Sequence, residues 1–302
     1  MVGMTTKLSP STAALLTVPP LLWAGNAIVG RLLRNAVPPM TLNLLRWSIA
    51  LLILLPLGRF LFRPGGALLT NWRRYALLGL LGIGLYNSLQ YLALQSSTPI
   101  NVTLVAAGMP VWMMLVGALF FGVPVTARQV AGAALSIGGV LLVLCRGQWD
   151  LLLAMRLVPG DVYMMLATIA WSFYSWLLMQ PKDPPEERAN WAAFLLAQVM
   201  YGVLWSSVFS AVEWGLGAPP MALSWKVAAG LLFVAIGPAI LAFRCWGAGV
   251  QRAGPSVAAF FSNLTPLFAA TMSAAFLGEA PHSYHVIAFA LIVGGIVFSA
   301  RR

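Results

Sequence analysis

The chain has 302 residues, of which 60% are hydrophobic and only 8% charged, against about 25% charged in an ordinary soluble domain. Eighteen Lys and Arg with seven Asp and Glu are too few to cover a soluble globule of this size, and disorder requires the opposite balance of low hydrophobicity and high charge. The net charge of +11 would suit nucleic acid only if the basic residues formed one patch or stripe; instead they sit in short gaps between apolar runs, where the positive-inside rule accounts for them. The composition predicts an all-α integral membrane protein with the lipid bilayer as partner and no nucleic acid.

A helix crosses the hydrocarbon core in about 20 apolar residues. On that measure the chain offers Ala13–Leu33, Pro39–Leu61, Tyr75–Leu94, Pro99–Phe121 and Val125–Leu144. Five more runs follow at Val158–Met179, Trp191–Val212, Val227–Gly249, Pro255–Leu277 and Tyr284–Ala300. The first run leads through Pro19, Pro20 and Trp23 to Asn26, Gly30 and Arg31 with no small-residue cleavage site, so it reads as a span and not a signal peptide. Cys145 and Cys245 stand singly in apolar stretches and form neither a disulfide framework nor a zinc spacing.

Lys and Arg divide unevenly between alternate gaps. One set holds Lys7, Arg59, Arg63, Arg73, Arg74, Arg128, Lys182, Arg188, Arg252, Arg301 and Arg302; the other holds Arg31, Arg34, Arg146, Arg156 and Lys226. The richer set marks the cytoplasm. Both termini are therefore expected inside the cell, with the chain in the cell (inner) membrane.

An offset of 156 residues aligns Gln95 with Gln251, Pro99 with Pro255, Pro110 with Pro266 and Gly122 with Gly278. The register continues through Ala134-Leu135 on Ala290-Leu291 and Gly138-Gly139 on Gly294-Gly295, without a gap. A shorter echo sets Trp23-Ala24 opposite Trp171-Ser172. Two repeats are expected, over residues 1–150 and 151–302, each of five helices. Five is odd, so the second copy enters the membrane inverted, the construction of many secondary transporters with a site near the midplane.

The sequence resembles the ten-helix, EamA-type branch of the drug/metabolite transporter superfamily. The residues that carry the resemblance are Trp23-Ala24-Gly25-Asn26, Leu45-Arg46-Trp47, the stretch from Pro266 to Phe276-Leu277-Gly278-Glu279, and Gly294-Gly295. The first copy departs from the pattern, with Val123 where Glu279 stands in the second. Within the branch the aromatic density resembles the YddG-type exporters of aromatic and other neutral amino acids. The resemblance implies a secondary transporter with a central cavity and no cofactor.

All seven acids lie in loops or at helix ends. A cation-coupled pump commonly keeps a carboxylate inside a span, so the pattern favours a facilitator, with Glu213 and Glu279 as the alternative proton relays. Arg46 lies about two turns into the second span, where a charge costs about 2.5–3.5 kcal/mol on insertion scales; it is either a clamp for a substrate carboxylate or a structural arginine. Neutral amides inside spans are candidates for the cavity: Asn26, Asn87, Gln90 (with Tyr91 on the same face), Asn101 and Asn263. Such groups also hydrogen-bond helices to one another. Trp171 and Tyr174, with Trp112, Phe243, Trp246 and Phe260, are candidates for an apolar wall, whereas Trp72, Trp149, Trp191, Trp214 and Trp225 fall at span ends as interfacial belt. Pro110, Pro238 and Pro266 sit where a helix would hinge.

The reading that follows is export or facilitated diffusion of neutral amino acids, aromatic ones included. Carriage of another metabolite (a nucleobase, sugar derivative or drug), with proton coupling as a variant, stays open. An intramembrane enzyme is the weakest alternative: it would need a metal motif, paired aspartates or a nucleophile with a base, and His282 with His285 forms only an HxxH pair with no third ligand. Reporter fusions after Arg74, Arg188 and Arg302 should report cytoplasm, and fusions after Asp150 and Gly217 the outer side. A cytoplasmic signal at Asp150 with Arg188 also inside breaks the ten-span inverted arrangement.

Overall fold

The computed structural model describes residues 8–63, 66, 68–97, 99–148, 150, 158–277 and 283–300, without the side chains of 31, 99–100 and 273–277. Lys7, Trp149, Arg156, Glu279, His282, Arg301 and Arg302 lie outside the described residues. The membrane helices are α1 (Pro10–Leu33), α2 (Pro39–Leu57), α3 (Trp72–Ser96), α5 (Ala127–Leu144), α6 (Pro159–Met179), α7 (Trp191–Gly215), α8 (Trp225–Ala253) and α10 (Ser283–Ala300). Two further spans are divided: α4 into α4a (Pro99–Ala107) and α4b (Met109–Phe121), and α9 into α9a (Pro255–Ser262) and α9b (Thr265–Leu277). Among the described residues nine segments are long and apolar enough to cross a bilayer. The ninth span in chain order is not among them; a two-residue break at Asn263-Leu264 separates its 8- and 13-residue pieces. The chain is an integral membrane protein of about ten helices.

Helix ends follow local chemistry. Ser9, Thr126 and Ser224 accept from backbone N–H groups of the first turns of α1, α5 and α8, satisfying donors that have no partner within a helix. The N-terminus of α2 is capped from a distance: Glu213, near the end of α7, accepts from the Met40 and Thr41 amides at 2.8 and 2.9 Å. The loop after α6 is held by Arg74, which donates to Asp183 at 2.7 Å and to the carbonyl oxygens of Leu177 and Gln180. Arg188 adds bonds to the Leu178 and Gln180 carbonyls, so two arginines satisfy the C-terminal end of α6, where positive charge is favoured.

The spacing of 156 recurs in the backbone. α3 carries a π-helical stretch at Gly79–Leu85, and α8 carries one at Ala235–Leu241, at the same offset. The α4 break at Gly108 and the α9 break at Asn263-Leu264 match in the same way, and α4b and α9b begin and end in register. Packing follows the same exchange: α3 packs on α6 as α8 packs on α1, and α4 lies on α6 as α9 lies on α1, while α2 pairs with α7 and α5 with α10.

Glycine sets the closest of these approaches. A Cβ on Gly295 of α10 would stand 2.6 Å from the carbonyl oxygen of Gly132, and one on Gly132 would stand 2.8 Å from that of Gly295. Membrane helices associate through such close backbone contact, because lipid is as apolar as a leucine side chain. Gly295→Leu should therefore lower the melting temperature of the detergent-solubilised protein, by an overpacking cost of about 1–3 kcal/mol. Gly294→Ala, at a position with nothing within 4 Å, should leave it unchanged; equal effects at both sites would show that the α5–α10 contact does not limit stability.

Candidate functional site

Arg46 is fully buried in α2. Its Nη1 donates to Asn26 Oδ1 at 3.2 Å, to Asn87 Oδ1 at 3.0 Å and to the Tyr91 hydroxyl at 3.0 Å. The Tyr91 hydroxyl in turn donates to Asn26 Oδ1 at 3.2 Å. The guanidinium thus draws α1 and α3 onto α2 at one level. Asn43, one turn earlier in α2, donates to the Ile83 carbonyl at 3.0 Å and to Ser88 and Ser206 at 3.2 Å, which binds α3 and α7 to the same helix.

Beside this network lies a cavity of about 170 Å³. α1 contributes Trp23, Asn26, Ala27 and Gly30, with exposed Arg34 just past its end; α3 contributes Tyr86, Gln90, Tyr91 and Leu94, with Ser97 just past its end. The α4 and α9 breaks supply the facing wall, including Ala106, Met109, Ser262, Asn263 and Pro266. Among the described lining residues Arg34 is the charged one, and none is a carboxylate. The cavity runs toward the C-terminal ends of α1 and α3. Non-helical backbone at membrane depth is tolerated where it lines such a space.

The proposed amides divide into two groups. Asn26, Gln90 and Asn263 line the cavity. Asn87 stands behind the wall on Arg46, and Asn101 donates to Asp161 at 3.2 Å. Trp171 and Tyr174 are buried and are not among the residues that line the cavity. Trp171 sits 5.3 Å from Trp23 and 4.8 Å from Tyr86, measured between ring centroids, so it backs two lining aromatics. Tyr174, Phe243 and Trp246 surround its other sides at 5.0, 5.2 and 5.4 Å. Trp112 lies beside the α4 break, its indole nitrogen 3.9 Å from where a Cβ on Gly108 would stand. Pro110 and Pro266 are second in α4b and α9b, and Pro238 lies inside the α8 π-stretch.

Three features escape a reading by residue type. Trp23 and Tyr86 form the aromatic wall, although Trp171 carries the same echo motif as Trp23. Ser97, Thr103, Ser262 and Thr265 line the cavity, but serine and threonine are too common in membrane helices to stand out. Asp161, at the start of α6, is a buried carboxylate that accepts from Ser97, from Asn101 and from its own capping amide at Val158.

The repeat offset relates this cavity to the aromatic cluster. At an offset of 148, Trp23 and Asn26 correspond to Trp171 and Tyr174; at 156, Asn87 and Gln90 correspond to Phe243 and Trp246. Positions that carry amides at or beside the cavity carry rings in the second half, and those rings pack around Trp171.

The sequence matches the EamA-like transporter family twice, over residues 10–145 and 158–301. An uncharacterised transporter of Archaeoglobus fulgidus is 26% identical over 98% of this chain and 99% of its own length. The aromatic amino acid exporter YddG of Ancylobacter novellus is 28% identical over 93% and 95%. A crystal structure at 23% identity superposes with a TM-score of 0.75 over 97% of this chain and 99% of the other, which extends the likeness to the fold. Two matches of one family, whose boundaries bracket five helices each and whose halves meet at the cavity, lead to one conclusion: the chain belongs to the EamA-like transporter family and is a membrane transporter.

Proposed function

We propose that the protein exports, or lets equilibrate, neutral amino acids by alternating access, with aromatic ones among its substrates. The observation that carries this reading is the cavity lining: asparagine, glutamine, serine and threonine residues beside Trp23 and Tyr86, with no carboxylate among the described lining residues. Its 170 Å³ is well below the roughly 300–1,000 Å³ of pockets for drug-sized ligands, which favours a solute of amino-acid size. The relative named as an aromatic amino acid exporter supports the same substrate class.

In this reading residues 1–150 and 151–302 are two inverted repeats in the inner membrane, with both termini cytoplasmic. The cavity then faces outward, since α1 and α3 run from inside to outside, and the cluster of Trp171, Tyr174, Phe243 and Trp246 closes the inner side. Exchanging the conformations of the halves would open that side and close the other. Pro110, Pro238 and Pro266 are the hinges for the exchange, because the backbone around each already departs from α-helical bonding. No cofactor takes part. A zwitterion carries no net charge across the bilayer, so the membrane potential does no work on it.

In liposomes, counterflow of labelled phenylalanine should proceed with neither a proton gradient nor a potential. Accumulation above equilibrium under an imposed pH gradient would instead establish coupling, with Glu213 or Glu279 as the first carboxylates to replace. Trp23→Ala should slow phenylalanine and tryptophan more than threonine, since an aromatic pair contributes about 0.5–1.5 kcal/mol beyond area burial. Nucleobase counterflow with no amino-acid counterflow would overturn the substrate assignment. Arg46→Met removes the donor to three side chains and should lower melting temperature and transport of every solute alike. A loss confined to solutes that bear a carboxylate would make Arg46 a substrate clamp.

A further inference from the structure

Trp23, Ala27, Gly30 and Arg34 follow one another at helical spacing along a single face of α1, and all four line the cavity. Ala27 and Gly30 carry almost no side-chain bulk, so the wall between the indole and the arginine is thin. A helical side chain leans over the turn before its own Cα, and Arg34 keeps α-helical backbone angles, φ −56° and ψ −32°. Arg34 therefore overlies the Gly30 turn, at the mouth of the cavity. Arg46, Arg74 and Arg188 are engaged in hydrogen bonds. The exposed side chain of Arg34 has neither a hydrogen bond nor an ion pair among the described residues. Asn26, Gln90 and Asn263, which also line the cavity, are neutral, so Arg34 is the described lining group that tells one sign of charge from the other. Low-dielectric walls focus the field of such a charge into the cleft. The position recurs in the second half. At the offset of 148, Arg34 corresponds to Lys182, likewise exposed just past the end of its helix. In the orientation proposed above, the positive-inside rule accounts for Lys182 but not for Arg34 on the outer side.

We propose that Arg34 is a specificity-determining residue of the carrier, whose guanidinium receives the carboxylate of a solute at the cavity mouth. A guanidinium presents a planar fork of donors that matches a carboxylate. A solute with only an ammonium meets like charge there. The inference rests on the amino-acid reading above and assigns one end of that substrate. The same fork would also take the phosphate of a lipid headgroup, so the experiment separates the two sources.

The test is calorimetric binding to the purified full-length chain with three probes: phenylalanine, 3-phenylpropanoate, which keeps only the carboxylate, and phenethylamine, which keeps only the ammonium. Phenylalanine and 3-phenylpropanoate should bind, and phenethylamine should bind more weakly than either. Arg34→Gln should weaken the first two about tenfold, the loss expected for one hydrogen bond to a charged group, and should not weaken phenethylamine. Arg34→Lys keeps the charge and should recover part of the loss. The Arg34 side chain has no bond to lose, so Arg34→Gln should keep the wild-type melting temperature, unlike Arg46→Met. Raising the ionic strength should weaken 3-phenylpropanoate more in the wild type than in Arg34→Gln, because salt screens an exposed charge. Phenethylamine bound as tightly as 3-phenylpropanoate by the wild type, a comparison that needs no variant to fold, would overturn the assignment. So would an equal loss of all three probes in Arg34→Gln, which marks a structural role. Unchanged binding of all three in that variant would also overturn it, and less co-purifying phospholipid would then name a lipid phosphate as the partner of the guanidinium. Binding of 3-phenylpropanoate that depends on Arg34, with no amino acid bound or carried, would keep the assignment and remove the amino-acid reading. Phenylalanine counterflow unaffected by Arg34→Gln would do the reverse, and a wild type that binds none of the three probes removes both.

Discussion

The buried guanidinium of Arg46 is the constraint on which the cavity side of the bundle depends. A charge at that depth is tolerated only when it is solvated, and here the solvation comes from neutral dipoles: Asn26 on α1, and Asn87 and Tyr91 on α3. Hydrogen bonds to a charged group contribute about 1.5–3 kcal/mol each, enough to hold three helices at a common level. Asn26 and Tyr91 present their remaining surface to the cavity, so the residues that satisfy the charge also form the wall. No carboxylate is among the described partners of Arg46. The α4 and α9 breaks supply the facing wall.

The departures from regular helix come in pairs. π-Stretches in α3 and α8 and breaks in α4 and α9 recur at one offset, although the side chains that cause them differ. Pro238 accounts for the α8 stretch, because it cannot donate within the helix. α3 has no proline there; instead Gly79 approaches α7 so closely that a Cβ would lie 2.7 Å from the Gln198 carbonyl oxygen and from the Gly202 amide nitrogen. Shared geometry with unshared causes is what two copies of one ancestral unit retain when packing rather than sequence is constrained. The chemical asymmetry lies in the filling: amides around the cavity, rings at the equivalent positions.

Part of the site was legible because a polar residue inside an apolar run is costly and therefore conspicuous. Asn26, Gln90 and Asn263 drew attention on that ground, and all three line the cavity. The same signal also marked Asn87 and Asn101, whose side chains are engaged by Arg46 and Asp161. Cost shows that an amide needs a partner; it does not say whether the partner is solute or protein. Trp171 and Tyr174 stood out as mid-span aromatics, yet they back the wall formed by Trp23 and Tyr86. Asp161 read as an ordinary helix-end acid, and its burial depends on Ser97 and Asn101 arriving from α3 and α4.

Sequence by itself determined the membrane environment, the approximate helix boundaries, the 156-residue offset and the prolines at the helix breaks, because each rests on composition or local stereochemistry. Tertiary structure decided which face of each helix meets the cavity. A helix that is apolar all round has no polar stripe from which its inward side can be read, and between lipid and protein there is little difference in hydrophobicity to orient it. Orientation is set instead by close glycine contacts, such as Gly132 against Gly295, and by the hydrogen bonds of Arg46, all of which join residues far apart in the chain.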